Sequence, residues 1–516
     1  MTATADLSRL TPFATQSPLG GPLAEVTATP AEALPALVAK VRAAQKAWSD
    51  LAIEDRIRKL IPLKSRVLDA AERIAELVHR EVGKPVTEAL SAEVLATADV
   101  VDYWCDAIEE HLVDRPIDID PIAYPGKRGT LSRDPRGVVV VIAPWNFPFA
   151  LPLRTIVPAL LAGNAVILKP SEISPRTGAL IGEMIAGLVP EGVFEVVQGG
   201  GDVGGALCAA DIDLVCFTGS VATGRKVARA CAERLVPCSL ELGGKDAAIV
   251  LADADLTRAA NGVVWGALGN AGQNCAAIER VYVEKSVAEA FTAKVVEVVK
   301  SLRSREDVGP LATERQCALV RDHVKDAVAK GAKVLAGGEE GSDAYAFAPT
   351  VLRVETDALP LMQDETFGPV IPIAVVENEN EAVERANASR FGLTASVWTK
   401  PARGARIASR LRAGVVTVNN HAFTGALPAA PWSGYGETGT GITGSVLALD
   451  ALTRPRFVLV DRNRAARELW WYPYTPALKA VLLAMAALRS ATSGIGAKVR
   501  AVLSLVRAMP KRLSGG

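Results

Sequence analysis

The sequence predicts an α/β protein: two doubly wound α/β lobes, a β arm and a helical C-terminal tail. Three observations carry this expectation. From Gly137 onward, short β-branched runs alternate with segments of helical period. A Pro- and Gly-rich stretch, Val113–Gly137, has the alternation of an extended hairpin or arm rather than a core element. Past residue 466 the chain turns basic and amphipathic.

The elements follow in order. Between Ala31 and Glu110, "ALPALVAKVRAAQKAWSDL" and "IRKLIPLKSRVLDAAERIAELVHREVG" space apolar residues three and four apart, as helices do. After the arm, "GVVVVIAP" is a continuous apolar run, expected of a strand buried on both faces. "NAVILKP", "FEVVQGG" and "LVCFTGS" are similar runs, with helical "TGALIGEMIAGLVP" and "ATGRKVARACAERL" between them. A second series follows Cys275: strand-like "ERVYVEK", "IPIAVVE", "TASVWT" and "GVVTVNN", with helices such as "VAEAFTAKVVEVVKSL".

Bulk properties narrow the function. The 516 residues are 49% apolar and 22% charged with zero net charge, so the molecule is a well-cored globule with no overall bias toward nucleic acid. Seven scattered cysteines without a CxxC argue against a disulfide framework or a metal site and for a reducing, cytoplasmic setting. The N-terminus lacks the basic and apolar parts of a secretory signal, and no apolar run reaches the ~18 residues of a membrane span.

Five short stretches could carry chemistry. In "CFTGSVATGRKVA", small residues between strand and helix would let backbone N–H groups approach a pyrophosphate, although a plain β–α turn reads the same way. Lys169 and Glu172 of "ILKPSEISP" sit just past a strand, where a carboxylate can hold ribose hydroxyls; an N-cap with solvated charges is the alternative. Asn146, between Trp145 and Phe147 in "PWNFPFALP", offers an amide for a developing oxyanion, or merely makes a turn. Glu241 in "LELGGKDAAIV" is a carboxyl in apolar surroundings, suited to a general base with a raised pKa or else paired with Lys245. Cys275, in "ALGNAGQNCAAIERVYV", is a nucleophile or one more buried thiol.

In order, PWNFP, KPSE, FTGS, ELGGK, GQNCAA and ETFGPV (Glu365–Val370) resemble the aldehyde dehydrogenase superfamily from about Ala31 to Asp461. The resemblance implies a Rossmann-like cofactor domain over 1–112 and 134–241 and a catalytic domain over 242–444. It implies an oligomerisation arm from 113–133 and 445–465, completed by "RPRFVLVD" and giving a homodimer or homotetramer. It makes Cys275 the nucleophile and leaves the other six cysteines as small buried hydrophobes. Asn146 and the Cys275 N–H would hold the oxyanion, and Glu241 would activate water and help deprotonate Cys275. The thiohemiacetal would give hydride to the cofactor, and the thioester would hydrolyse to a free acid. Lys169 and Glu172 would meet the adenosine ribose; Phe217, Gly219, Ser220 and Gly224 the phosphates; Trp145 and Leu242 the nicotinamide; Glu365 and Phe367 its ribose. Glu172 favours NAD by charge repulsion, with NADP also accepted. No metal is implied.

Two departures stand out. Asn274 precedes the nucleophile, placing an amide where it can project toward substrate, and "PWSGYGETGTGITG" has Ile442 where the family pattern carries arginine. The apolar flavour of the pocket segments suggests a hydrophobic aldehyde. Rival readings are a coenzyme A-acylating semialdehyde dehydrogenase and a non-catalytic, membrane-tethered member of the fold; Glu241 and the intact trio argue against each.

The tail, 466–516, lies outside the resemblance. It has eight basic side chains against Glu468 alone. In "AKVRAVLSLVRAMPKR", Arg500, Ser504, Arg507 and Lys511 fall on one helical face and Val499, Val502, Leu503, Val506 and Met509 on the other. Such a helix suits peripheral contact with an anionic membrane; docking on the acidic body or on a neighbouring subunit is the competing expectation.

Overall fold

The computed structural model describes residues 12–13, 16–121, 124–338, 343–421, 423–464, 468 and 470–513. The backbone divides into two compact units: Met1–Val113 with Arg133–Pro455, and Asp114–Ser132 with Arg456–Gly516.

The first unit is organised by two sheets. Strands β1 (Val138–Ile142), β2 (Ala165–Lys169), β3 (Phe194–Val196), β4 (Leu214–Thr218) and β5 (Cys238–Glu241) form an all-parallel sheet in the order β3-β2-β1-β4-β5. Every residue of β1 and β2 is buried, as a β-branched run covered on both faces requires. One covering layer contains Trp48, Trp104, Phe149 and Leu160; the other contains Leu34, Val38, Val41 and Leu207.

The second sheet has seven strands: β6 (Asp246–Val250), β7 (Ile278–Glu284), β8 (Lys333–Ala336), β9 (Thr350–Val354), β10 (Val370–Val376), β11 (Thr394–Trp398) and β12 (Val415–Val418). Their order is β8-β9-β10-β7-β6-β11-β12. Only the edge pair β8–β9 is antiparallel. Helices α1 (Ala150–Leu161), α2 (Val221–Glu233) and α3 (Leu256–Leu268) matter most for the site.

The second unit joins the arm to the tail. Its sheet has three strands in the order Thr453–Asp461, Lys127–Pro135, Arg115–Ile117, two of which reach a few residues into the first unit. Lys127 bonds Asp461 at 2.8 Å and Glu468 at 2.7 Å, and Tyr124 meets Trp470 edge-on at 6.0 Å. Helices α4 (Pro476–Arg489) and α5 (Ile495–Leu513) pack on each other as a hairpin. Among the described residues no helix is long and apolar enough to cross a membrane.

Candidate active site

Parallel pairing puts the carboxyl ends of β2, β1, β4 and β5 along one edge. Lys169 ends β2; Trp145 and Asn146 follow β1; Gly219 and Ser220 follow β4; Glu241 ends β5. Strand order runs one way from β1 to β2 and the other to β4, and open α/β sheets bind ligands at such a reversal.

The turn into α2 is tight and anion-ready. The Gly219 N–H donates to the Glu241 carbonyl at 3.0 Å, and Ser220 Oγ caps the helix by accepting from the Thr223 N–H at 3.3 Å. A Cβ on Gly219 would come within 2.7 Å of the Phe217 ring, and one on Gly224 within 2.5 Å of Leu242. Only glycines fit these close approaches, so Phe217 and Leu242 underpin the turn. Lys169 is buried, donates to the carbonyls of Pro170 at 2.8 Å and Gly199 at 2.6 Å, and lies 3.8 Å from Glu172. Burial lowers its pKa, with Glu172 opposing. The Glu172 side chain is 56% exposed, and the N-cap position of the following helix is Ser174, not Glu172.

Cys275 is positioned by strain. After α3 the backbone turns through Asn270 (φ 55°), Ala271 (φ 54°) and Gly272 (φ 72°), two of them non-glycine residues in left-handed geometry. Asn270 Nδ2 stabilises the turn by donating to the Asn146 carbonyl at 2.8 Å and the Gln273 carbonyl at 2.9 Å. The PWNFP loop and the cysteine loop are thereby tied together. The buried Asn146 Oδ1, an acceptor, has no protein partner.

Cys275 and Glu241 line one cavity with Leu151, Arg154, Leu242 and Trp432. Burial raises the Cys275 pKa, and the carboxyls of Asp246, Glu365 and Glu241 add to it. Glu241 is raised well above the ordinary carboxylate value by burial, and the Arg154 guanidinium pulls it back down. Glu241 Oε1 is buried without a partner. Lys245 pairs with Glu279 rather than with Glu241, which leaves Glu241 uncommitted.

The loop Glu365–Phe367 completes the group. Glu365 accepts from the Gly244 N–H at 3.2 Å, and its carboxyl is pushed up to about 8, chiefly by burial and then by Glu279. Trp145 and Phe367 meet edge-on at 5.6 Å. Trp145, Asn146, Cys275, Glu241, Glu365 and Phe367 thus interlock, whereas Lys169 and Glu172 stand apart, at the end of β2.

One expectation changes, and one residue gains partners. Asn274 Oδ1 accepts from the Ala276 N–H at 3.1 Å and from Cys275 Sγ at 3.8 Å, which sets this amide beside the thiol. Cys238 is only half-buried, unlike the other non-catalytic cysteines. The segment around Ile442 is ordered, pairing Trp432 with Thr443 and Ser433 with Ile442.

Sequence reasoning passed over four supports. Arg154 donates to the Gly425 carbonyl at 2.5 Å from inside the cavity wall. Glu93, paired with Lys84, accepts from the N–H groups of Phe149 (3.1 Å) and Ala150 (2.8 Å) and so anchors the start of α1. Glu279 accepts from the N–H groups of Thr366 (2.7 Å) and Phe367 (2.8 Å), fixing that loop. Asn270 is the fourth. The available signal was a lone charge inside an apolar run, as in "LPLRTIVPALL" and "AAIERVYV", because buried charges must be paired.

A parallel sheet of this order, facing a half-buried thiol and an uncommitted carboxyl, is the layout of a two-lobed α/β dehydrogenase. The aldehyde dehydrogenase family model matches residues 7–458. The 4,4'-diapolycopene aldehyde oxidase of Methylomonas sp is 37% identical over 442 residues, covering 84% of this chain and 83% of that protein. The structure of PnpE, a Pseudomonas sp. WBC-3 protein, in complex with nicotinamide adenine dinucleotide superposes with a TM-score of 0.85 at 32% identity, covering 89% of this chain and 96% of that one. The NAD+ complex of a Bacillus cereus aldehyde dehydrogenase gives 0.84 at 32% identity, covering 88% and 94%. The chain belongs to the aldehyde dehydrogenase family and is an oxidoreductase acting on the aldehyde group.

Proposed function

We propose that the protein oxidises a hydrophobic aldehyde to the free carboxylic acid with NAD, NADP also serving. The observation that carries this reading is the shared cavity of Cys275 and Glu241. Burial and three neighbouring carboxyls hold Cys275 as the thiol, so attack on a carbonyl needs a proton acceptor. Glu241, in the same cavity and tied to no other partner, accepts that proton. The oxyanion is held by the Asn146 amide and the Cys275 N–H. Glu241 then releases that proton to solvent; after oxidation to the thioester it takes a proton from the attacking water and returns it to the departing sulfur, so that the acid leaves and the thiol is restored. One aldehyde, one water and one dinucleotide give one acid, one reduced dinucleotide and one proton.

The residues present fit a dinucleotide: a capped, glycine-lined helix N-terminus, a buried lysine beside an exposed carboxylate, and Glu365 with Phe367 at the far side. Bound there, it supplies the hydride acceptor. Its holders are Lys169, Glu172, Phe217, Gly219, Ser220, Gly224, Trp145, Leu242, Glu365 and Phe367, with the cofactor domain at 1–112 and 134–241 and the catalytic domain at 242–444. Leu151, Leu242 and Trp432 give the cavity an apolar side, beside Arg154, Thr155, Thr218, Glu241 and Thr443; the apolar side is in line with the relative named for 4,4'-diapolycopene aldehyde. A homodimer or homotetramer forms through the arm sheet, where four consecutive residues, Phe457–Val460, are each about half exposed.

Incubation with aldehydes of increasing chain length, NAD or NADP, and with or without coenzyme A tests the reading. Acid and reduced dinucleotide should appear one to one without coenzyme A, best with long apolar substrates. A coenzyme A thioester as the obligatory product would overturn it.

A further inference from the structure

We propose that the α4–α5 hairpin docks on the surface of an anionic lipid bilayer. The proposal stands independently of turnover and rests on which side chains the hairpin keeps outside.

In a hairpin meant for water, the large apolar residues lie between the helices and the small polar ones face out. Helix α5 reverses this. Its buried positions are Ala501 and Ala508, while Ile495, Val499, Val502, Leu503 and Val506 are 84%, 53%, 48%, 51% and 68% exposed. At ~3.6 residues per turn these five form one stripe about 100° wide, the span of an apolar helix face. Helix α4 buries Leu478, Val481 and Ala484 and exposes Leu482 and Leu483. Just ahead of it, Tyr472 and Tyr474 stack at 4.6 Å and are 74% and 70% exposed.

Charge selects the occupant. After Glu468 the chain has no acidic residue and seven basic ones: Lys479, Arg489, Lys498, Arg500, Arg507, Lys511 and Arg512. Glu468 itself is buried against Lys127 and Asn463, so it offsets none of them. A protein partner would have to match an aliphatic stripe and a cationic field at once. An anionic bilayer meets both, because acyl chains accept the stripe, headgroups neutralise the cations, and tyrosines sit at the boundary. Since no described helix can span a membrane, the hairpin would lie in the interfacial plane.

The test is flotation of the full chain with vesicles of one part phosphatidylglycerol to three of phosphatidylcholine, and with phosphatidylcholine alone. Wild type should float with the anionic vesicles, and added salt should weaken the partition. Val499→Gln/Leu503→Gln/Val506→Gln should abolish it. Lys479→Gln/Arg500→Gln/Arg507→Gln changes only cations of this surface, guards against misfolding of the first variant, and should weaken anionic partition on the order of 100-fold at low salt. Lipid-free turnover of a water-soluble aldehyde should be unchanged in both. Wild type that stays unbound, or floats no better than both variants, would overturn the proposal. So would tail-dependent self-association by light scattering with no flotation, which would assign the surface to a protein partner.

Discussion

The catalytic crevice and the C-terminal hairpin depart in opposite directions from the rule that apolar groups go inside. The crevice buries charge: Glu241, Lys245, Asp246, Glu279 and Glu365 all lie below one-tenth exposure or are shifted by desolvation. The hairpin exposes aliphatic side chains along a whole helix face. Burying a carboxyl costs several kcal/mol unless it is paired or protonated, and exposing five aliphatics forgoes ~1.5–3 kcal/mol for each. Neither cost helps folding, so each marks a surface shaped for something that arrives later.

The largest test of the crevice is its thiol. Cys275→Ser should reduce aldehyde oxidation on the order of 10⁴-fold or more while leaving flotation intact; activity near wild type, followed by reduced-dinucleotide absorbance, would dissolve the contrast between the two regions. Next, Glu241→Gln should slow steady turnover by about 10²–10⁴-fold and suppress the pre-steady-state burst with it, because the acceptor of the thiol proton and the activator of water are the same carboxyl. Stopped-flow absorbance checks this, and a full burst followed by a slow steady rate would remove Glu241 from thiol deprotonation and leave it only the water step. The smallest effect sharpens the electrostatics. Glu241 works only when deprotonated and its pKa is raised, so activity should fall on the acid side at a pH above the ordinary carboxylate value of 4.5. Arg154 favours the charged form, so Arg154→Met should move that acid limb to higher pH, read from a kcat–pH profile. A limb that stays put would remove Arg154 from the account.

Much of this was readable before the fold. The neighbours of Cys275 and Glu241 left each with a bland alternative, and it was the resemblance of GQNCAA and ELGGK to the aldehyde dehydrogenase superfamily that singled them out, whereas β1 and β2 announce themselves as continuous apolar runs. Arg154 carried a signal that was passed over, a single charge inside the apolar run LPLRTIVPALL, but only tertiary packing shows that it lines the cavity with Glu241. The partnership of Lys245 with Glu279 joins residues 34 apart and displaced the expected pairing with Glu241. The left-handed turn at Asn270 and Ala271 has no local signature, since ordinary residues are held there by distant bonds. In the tail, periodicity marks α5 as a helix, but only packing shows that its alanines face inward and its branched residues outward.

Gly272 carries one further implication. A methyl group there would strike the Gly368 carbonyl at 2.1 Å. The segment bearing the sulfur and the segment bearing Glu365 and Phe367 therefore nest without clearance, like adjacent teeth of one gear. Any side chain at position 272 would have to part these two segments, and with them the loops that carry Cys275 and Phe367.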